Sequence, residues 1–437
     1  MFSKTPGQFS KTPGQFSNSK TPGQFSTTGC STAFSEERPV RMRLLQLEEE
    51  EENIPPMPLT MEVKTEPVDF AAEAEPAAQV AAKIEVKTET IERDIAALDL
   101  NLQEIDPFCS QLQRKLLSTL PTPFDARPGF SQSSIPLPTF RVNQCVSMGN
   151  SVATLKRSLG EGAYAKIYLA VMEPEGKLVV LKYAPEDTTC WDFYISSEIR
   201  SRLTDPCMVK KISHISNAYL HDNGVIYQMD FISKATLLDV INNYRQVNQE
   251  VPPNVVIYLT LQILKLVQAL HKVQIIHADL KPDNFLIIPS KDQYFASLHL
   301  IDFGRCIDMS LLPTGSSFRT TFKCADSRCI EMRTNRPWTY QLDFYGVAAT
   351  IHCLLFGKYM NVKEVRGRWM PTCKPKRFWE QTPLYEKLFE TLLNVESCDK
   401  QPDLQPFITS LQQVVKSIKA IILSKELKTV FSSKNDN

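Results

Sequence analysis

The sequence predicts an α+β protein, with strand-like segments first and long apolar helices after them, behind a long tail that builds no core. Three observations lead there. Apolar positions alternate with more polar ones around a glycine-rich turn, LGEGAYAKIYLA at 159–170, and the strand-like KLVVLKY follows at 177–183. Two long segments, PPNVVIYLTLQILKLVQALHKVQ at 252–274 and QLDFYGVAATIHCLLFG at 341–357, are apolar over helical lengths, the first opened by proline. The first hundred residues show neither pattern.

Those hundred residues are repetitive instead. FSKTPGQ occurs at 2–8 and 9–15 and returns as FSNSKTPGQ at 16–24. Proline and glycine in every copy exclude a helix, so 1–104 reads as a low-complexity disordered tail. Thr5, Thr12 and Thr21 each precede proline and read as phosphorylation sites. VKTE at 63–66 and 86–89 has the pattern of a SUMO acceptor, with Lys64 and Lys87 as the lysines. Residues 48–52 are five glutamates, a solvated run, and 71–83 is rich enough in Ala and Glu for a marginal helix.

The formal net charge is zero, which gives no push toward nucleic acid or membrane, but residues 1–100 hold 10 Lys/Arg against 17 Asp/Glu. The remainder is therefore as basic as the tail is acidic. Eleven scattered cysteines without a C-x-x-C pair suit reduced thiols in a cytosolic or nuclear protein and offer no zinc spacing. No run approaches the ~20 apolar residues of a membrane span, and the N-terminus has no apolar core of a secretory signal.

Order begins near 105. PFCSQLQRKLLSTL at 107–120 places Phe108, Leu112, Leu116 and Leu117 at helical spacing. Residues 121–140 carry five prolines and three phenylalanines and read as an extended stretch whose aromatics dock on a neighbouring domain. The folded body then runs from about 151 to 430, with 431–437 as a short tail.

Within that body a set of residues recurs in an order that points to phosphate chemistry. Leu159, Gly160, Glu161, Gly162, Ala163, Tyr164 and Ile167 form a turn whose backbone amides can close over phosphates; the chain continues as a strand and not a helix, which argues against a dinucleotide turn. Lys182 follows in the next strand as a ligand for the α- and β-phosphates, and Glu198, inside the helix-like WDFYISSEIRSRL at 191–203, is the expected ion-pair partner that aims it. HDNG at 221–224 joins two further strands. HADLKPDN at 277–284 supplies Asp279 to take the substrate hydroxyl's proton, Lys281 to neutralise the transferring phosphoryl group and Asn284 to bind magnesium. LHLIDFG at 298–304 ends a strand on Asp302, a second magnesium ligand, and CIEM at 329–332 stands where A-P-E is usual, with Glu331 as its glutamate. Asp343, on an apolar helix, must be paired if buried, and the backbone of the catalytic loop is its expected partner.

This order resembles that of protein kinases across 154–430, with a small lobe at about 151–231 and a large lobe at about 232–430. WDFYISSEI, HADLKPDNFLI, CIDM at 306–309, RPWTYQLDFYGVAATIHCLLFGKYM at 336–360 and the lead-in DPFCSQLQRKLLS narrow the resemblance to the Bub (budding-uninhibited-by-benzimidazole) kinases of the spindle checkpoint. The resemblance implies a two-lobed protein-kinase fold with an N-terminal extension at 105–150. It implies a serine/threonine kinase using ATP and Mg2+, a monomeric kinase domain, and protein substrates with histone tails among them. Its partners would be kinetochore and checkpoint proteins, without direct nucleic-acid or membrane binding. Its location would be the nucleus and cytoplasm, and the kinetochore in mitosis.

Larger Bub proteins carry a helical-repeat domain and a motif for a propeller partner, neither of which is found in 1–100, so the expectation is a short form or a C-terminal product. Ala278 replaces the arginine of H-R-D, a substitution the Bub family tolerates; it leaves a phosphate on Thr320 or Thr321 without an anchor. Activity then should not require that phosphate, and 105–150 would brace the kinase instead by packing apolar side chains on the small lobe. The rival reading is a pseudokinase scaffold, supported by Ala165 in place of a third loop glycine, by Ala278 and by the altered A-P-E.

Overall fold

The computed structural model describes residues 106–162, 164–233, 235–289, 296–322, 328–377 and 379–431. The FSKTPGQ repeats, the Thr-Pro sites, both VKTE motifs and the glutamate run lie outside them.

The described chain opens with helix α1 (Ser110–Ser118), which buries Leu112, Leu116 and Leu117, the three leucines the periodicity singles out. The seven strands of the small lobe are β1 (Phe130–Ser133), β2 (Cys145–Met148), β3 (Ser151–Glu161), β4 (Lys166–Glu173), β5 (Lys177–Pro185), β6 (Ile215–His221) and β7 (Gly224–Asp230). They lie in the order β1-β6-β7-β5-β4-β3-β2. Both edge strands therefore come from the segment before residue 150. β1 adds in parallel to β6 and β2 antiparallel to β3, so the preceding segment covers what would otherwise be the edges of a five-stranded sheet. The β6–β7 hairpin closes on a two-residue turn, and Asn223 in it accepts the Leu137 amide at 2.7 Å.

The alternation in β4 is less simple than the sequence suggests. Tyr168, Leu169 and Ala170 are all buried. Tyr168, Ala170 and Met172 pack in a cluster with Leu137, Phe140, Val146 and Met148 of the preceding segment, with the Phe140 ring 4.5 Å from that of Tyr183. A sheet face that alternation alone assigns to solvent is thus covered, and each large side chain buried there contributes roughly 1.5–3 kcal/mol.

Helix α2 (Trp191–Arg202) lies between the sheet and the large lobe, and the short α3 (Pro206–Val209) follows. The large lobe begins with α4 (Leu237–Gln246), whose Thr236 and Asp239 form a reciprocal capping box. α5 (Pro253–Lys272) is long and apolar enough to cross a membrane by composition, which corrects the expectation that no segment is. However, 67% of that window is buried inside the lobe, the environment of a core helix. Then come β8 (Ile275–Ile276), β9 (Phe285–Pro289), β10 (Ala296–Leu300) and β11 (Ile307–Asp308), with β9 paired to β10 and β8 to β11. α6 (Ile330–Arg333) and the buried α7 (Gln341–Phe356) lead into a hairpin of β12 (Val362–Val365) and β13 (Arg368–Pro371). Helices α8 (Thr382–Leu393), α9 (Gln405–Ser417) and α10 (Ala420–Phe431) complete the lobe. One core cluster runs from Leu112 of α1 through α2 to α5 and α7, so α1 shares the core of the large lobe.

Candidate active site

The loop between β8 and β9 is fixed from below. Asp343 of α7 is fully buried and accepts hydrogen bonds from the His277 amide at 2.8 Å and the Ala278 amide at 2.7 Å, with the His271 imidazole at 2.9 Å. A buried carboxylate needs such partners; the two loop amides are the ones the sequence assigns to it, and His271 is an addition. Three residues on, Gly346 lets the loop approach, because a Cβ there would stand 2.8 Å from both Leu280 Cβ and Leu280 O. Ala278 sits in the left-handed region at φ 61°, where its amide points at Asp343. Its small side chain is buried and brings no charge toward the activation segment, the stretch after D-F-G that carries Thr320 and Thr321.

Above this base the predicted residues converge. Lys281 Nζ donates to Asp279 Oδ2 at 2.8 Å, and Asn284 Nδ2 donates to the Asp279 carbonyl at 2.8 Å. Asp302, also left-handed at φ 67°, accepts from Lys182 Nζ at 2.8 Å. In the sheet, Gly160 is opposite Ile167 and Ile167 is opposite Lys182, which brings the glycine-rich turn over the lysine. The Gly162 amide donates to the Ala165 carbonyl at 2.8 Å, so the turn closes with alanine in place of the third glycine. Leu159 is half-buried, Glu161 pairs with Lys166 at 2.8 Å, and Tyr164 stands 87% exposed at the tip. Ala163 lies outside the described residues. Glu331 pairs with Arg336 at 3.2 Å, so the glutamate of CIEM keeps an arginine partner.

One assignment is corrected. Lys182 is paired not with Glu198 but with Asp192, whose Oδ2 is 2.5 Å from Nζ. Asp192 lies in the first turn of α2, against the glycine of D-F-G: a Cβ on Gly304 would come 2.8 Å from its Oδ1. Glu198 is six residues on, at ~100° per residue on a different face. There it joins Arg127 at 2.6 Å and Arg202 at 2.7 Å. Arg202 continues to the buried Asp308 at 2.6 Å, which also accepts from Tyr194 at 2.8 Å. Glu198 therefore ties the N-terminal segment and β11 to the back of α2.

The electrostatics follow the geometry. Burial pushes the Asp192 carboxyl up to about 6, opposed by Lys182. The Lys182 ammonium holds Asp302 far below the usual carboxylate range, which keeps it an anion. Burial works against the charge on Lys182, but Asp192 and Asp302 more than offset it and raise its pKa. Burial likewise opposes the Lys281 charge, and Asp279 overcomes it. An anionic Asp302 and the amide of Asn284 form an oxygen donor set of the kind a hard divalent cation takes, and the fixed ammonium of Lys182 beside them suits a polyphosphate.

A protein kinase domain model matches residues 153–401. The chain belongs to the protein kinase family. Mouse mitotic checkpoint serine/threonine-protein kinase BUB1 is 34% identical over 342 residues, 74% of this chain and 31% of that protein. The spindle assembly checkpoint kinase BUB1 of Saccharomyces cerevisiae is 33% identical over 267 residues, 56% of this chain and 26% of that protein. The chain thus spans between a quarter and a third of the length of these relatives. The crystal structure of the BubR1 kinase domain superposes with a TM-score of 0.69 at 34% identity, covering 75% of this chain and 98% of that one. The kinase is thus a homologue of the BUB1/BubR1 spindle-checkpoint serine/threonine kinases over its kinase-domain region.

Sequence reasoning missed Asp192, Arg127 and Arg305. Asp192 carried a signal, an acid set between Trp191 and Phe193 where burial demands a partner. Arg127 and Arg305 carried none, since their partners lie 71 residues away in one case and on two separate segments in the other.

Proposed function

We propose that the chain is an active serine/threonine protein kinase of the mitotic spindle checkpoint, using ATP and Mg2+ on protein substrates, histone tails among them. On this reading it works in the nucleus and cytoplasm and at kinetochores in mitosis, alongside checkpoint proteins. The observation that carries it is the joining of Lys182, Asp192 and Asp302 above a catalytic loop pinned by Asp343.

Asp279 takes the proton of the attacking hydroxyl. Lys281, held by Asp279, sets an ammonium where negative charge moves during transfer. Lys182, aimed by Asp192, holds the α- and β-phosphates, while the glycine-rich turn, closed by the Gly162–Ala165 hydrogen bond, covers the chain of phosphates. Asn284 and Asp302 would hold the magnesium, which supplies charge neutralisation on the phosphate oxygens.

The test is transfer of radiolabelled γ-phosphate from ATP to a histone tail by the wild type and by Asp279→Asn. Loss of transfer in the variant is expected, about 10²–10⁴-fold for a positioned base. Equal incorporation by both would overturn the reading in favour of a checkpoint scaffold.

A further inference from the structure

The β12–β13 hairpin stands apart from the site and is unusually cationic. Between 358 and 377 the chain places Lys358, Lys363, Arg366, Arg368, Lys374, Lys376 and Arg377 against one acid, Glu364. All seven cations are exposed, and among the described residues only Lys376 has an ion-pair partner, Glu250 at 2.5 Å.

The hairpin also has one open edge. Val362, Lys363, Glu364 and Val365 face Pro371, Met370, Trp369 and Arg368, closed by Arg366 and Gly367, both at positive φ. The Thr372 amide donates to the Asn361 carbonyl at 2.8 Å, so hydrogen-bonded pairs alternate from there. Lys363 and Val365 therefore bond inward, across the hairpin. Val362 and Glu364 direct their N–H and C=O groups outward, as Trp369 does on the opposite strand. Trp369 is satisfied: Asn394 Oδ1 accepts its amide at 2.7 Å and Asn394 Nδ2 donates to its carbonyl at 2.9 Å. The outward groups of β12 have no strand partner among the described residues. Val365, 46% exposed, and Tyr359, 42% exposed, lie among the cations.

We propose that this edge binds an acidic extended peptide as a third strand, and that its occupant is the chain's own segment Leu44–Ile54, which carries Glu48–Glu52. A free strand edge supplies main-chain affinity, and the surrounding cations select for acid. Five consecutive glutamates flanked by Leu44, Leu45, Leu47 and Ile54 match both the charge and the apolar side chains of the hairpin. The acidic excess of residues 1–100 and the equal basic excess of the rest place the two partners on one polypeptide. The connection is long enough. The described chain starts at Asp106, and 53 residues lie between it and Glu52. At ~3.3–3.6 Å per residue these extend up to about 180 Å, several times the roughly 50 Å breadth of a folded body of this size. Tethering also raises the local concentration of the acidic strand at the edge. The inference stands apart from the catalytic reading and survives its failure.

Hydrogen exchange on the full chain tests it. The outward amides of Val362 and Glu364 should exchange at least about tenfold more slowly in the wild type than in a chain with Glu48–Glu52 replaced by Gln. The inward amides of Lys363 and Val365 should not differ. High salt should erase the contrast, and Arg366→Glu with Arg368→Glu should erase it too. Carbodiimide treatment should join Lys358, Lys363 or Lys374 to Glu48–Glu52 within a single chain. Equal exchange of the outward amides in both forms would overturn the proposal. Crosslinks found only between isotopically distinct chains would also overturn it, assigning the edge to a second copy. Protection conferred equally on both forms by a duplex DNA fragment would overturn it as well, assigning the face to nucleic acid.

Discussion

Replacing Phe108 by alanine should weaken the activation segment without touching the catalytic residues. The Phe108 ring stacks on Trp338 at 6.3 Å and 15° and lies 5.4 Å from Phe322. The Arg305 guanidinium, next after D-F-G, sits between two of these rings, 4.7 Å from Phe108 and 4.1 Å from Phe322. Trp338 in turn donates to the Thr320 carbonyl at 2.9 Å and exchanges backbone hydrogen bonds with Phe318. The N-terminal segment thus reaches the activation segment through one ring and supplies an anchor where Ala278 offers none.

An exposed to partly desolvated cation–π contact contributes about 0.5–2 kcal/mol and an aromatic pair about 0.5–1.5 kcal/mol. These terms share atoms and do not simply add. A loss of about 2 kcal/mol shifts the order–disorder equilibrium constant of the segment by about 30-fold, and the ordered fraction by as much where order is only marginally favoured. Phe108→Ala should therefore lower kcat/KM for peptide phosphorylation by about 10–30-fold and speed amide exchange at Phe318–Phe322. Phe108→Tyr, which keeps the ring, should stay near wild type. A Phe108→Ala enzyme within twofold of wild type, with unchanged exchange at Phe318–Phe322, would refute the reasoning.

Other predictions separate the remaining roles. Asp192→Asn should lower kcat/KM for ATP about a hundredfold, the cost of misplacing a positioned group. Glu198→Gln should lower it less than about fivefold and instead loosen exchange protection at β1, because Glu198 holds Arg127; the reverse order would restore Glu198 as the partner of Lys182. Replacing Thr320 and Thr321 together by alanine should leave turnover within about twofold, and abolished activity in a folded double variant would show that a phosphate there is needed. Burial pushes His299 and His352 down to about 4. Both have folded values below the unfolded ~6.5, so their contribution to stability is full above about 6.5 and is lost as pH falls toward 4. Tm should drop between pH 7 and pH 5, less steeply in His352→Phe, and a flat profile would contradict the assignment.

What was legible in the sequence depended on range. Asp279, Lys281 and Asn284 lie within six residues, and a short loop fixes their mutual geometry, so spacing sufficed. Asp343 was legible because a carboxylate in an apolar helix needs buried donors, and the catalytic loop supplied them. The choice between Asp192 and Glu198 was not, since both lie on one helix and only its rotation against Lys182 and Gly304 decides. Strands β1 and β2 were missed because each has four residues and their pairing partners lie 88 residues on for Phe130 and across a turn for Cys145. The apolar length of α5 misled in the other direction: a helix surrounded by a lobe is apolar all round, as a membrane span is.

The central claim is that the site turns over ATP through Asp279 and is held ready by side-chain docking, not by a phosphate. The most direct measurement is the rate of γ-phosphate transfer to a histone tail by the full chain after exhaustive phosphatase treatment, beside untreated chain and Asp279→Asn. The account predicts equal rates for treated and untreated chain and loss of transfer in the variant. A tenfold or greater fall on dephosphorylation, or transfer that survives Asp279→Asn, would contradict it.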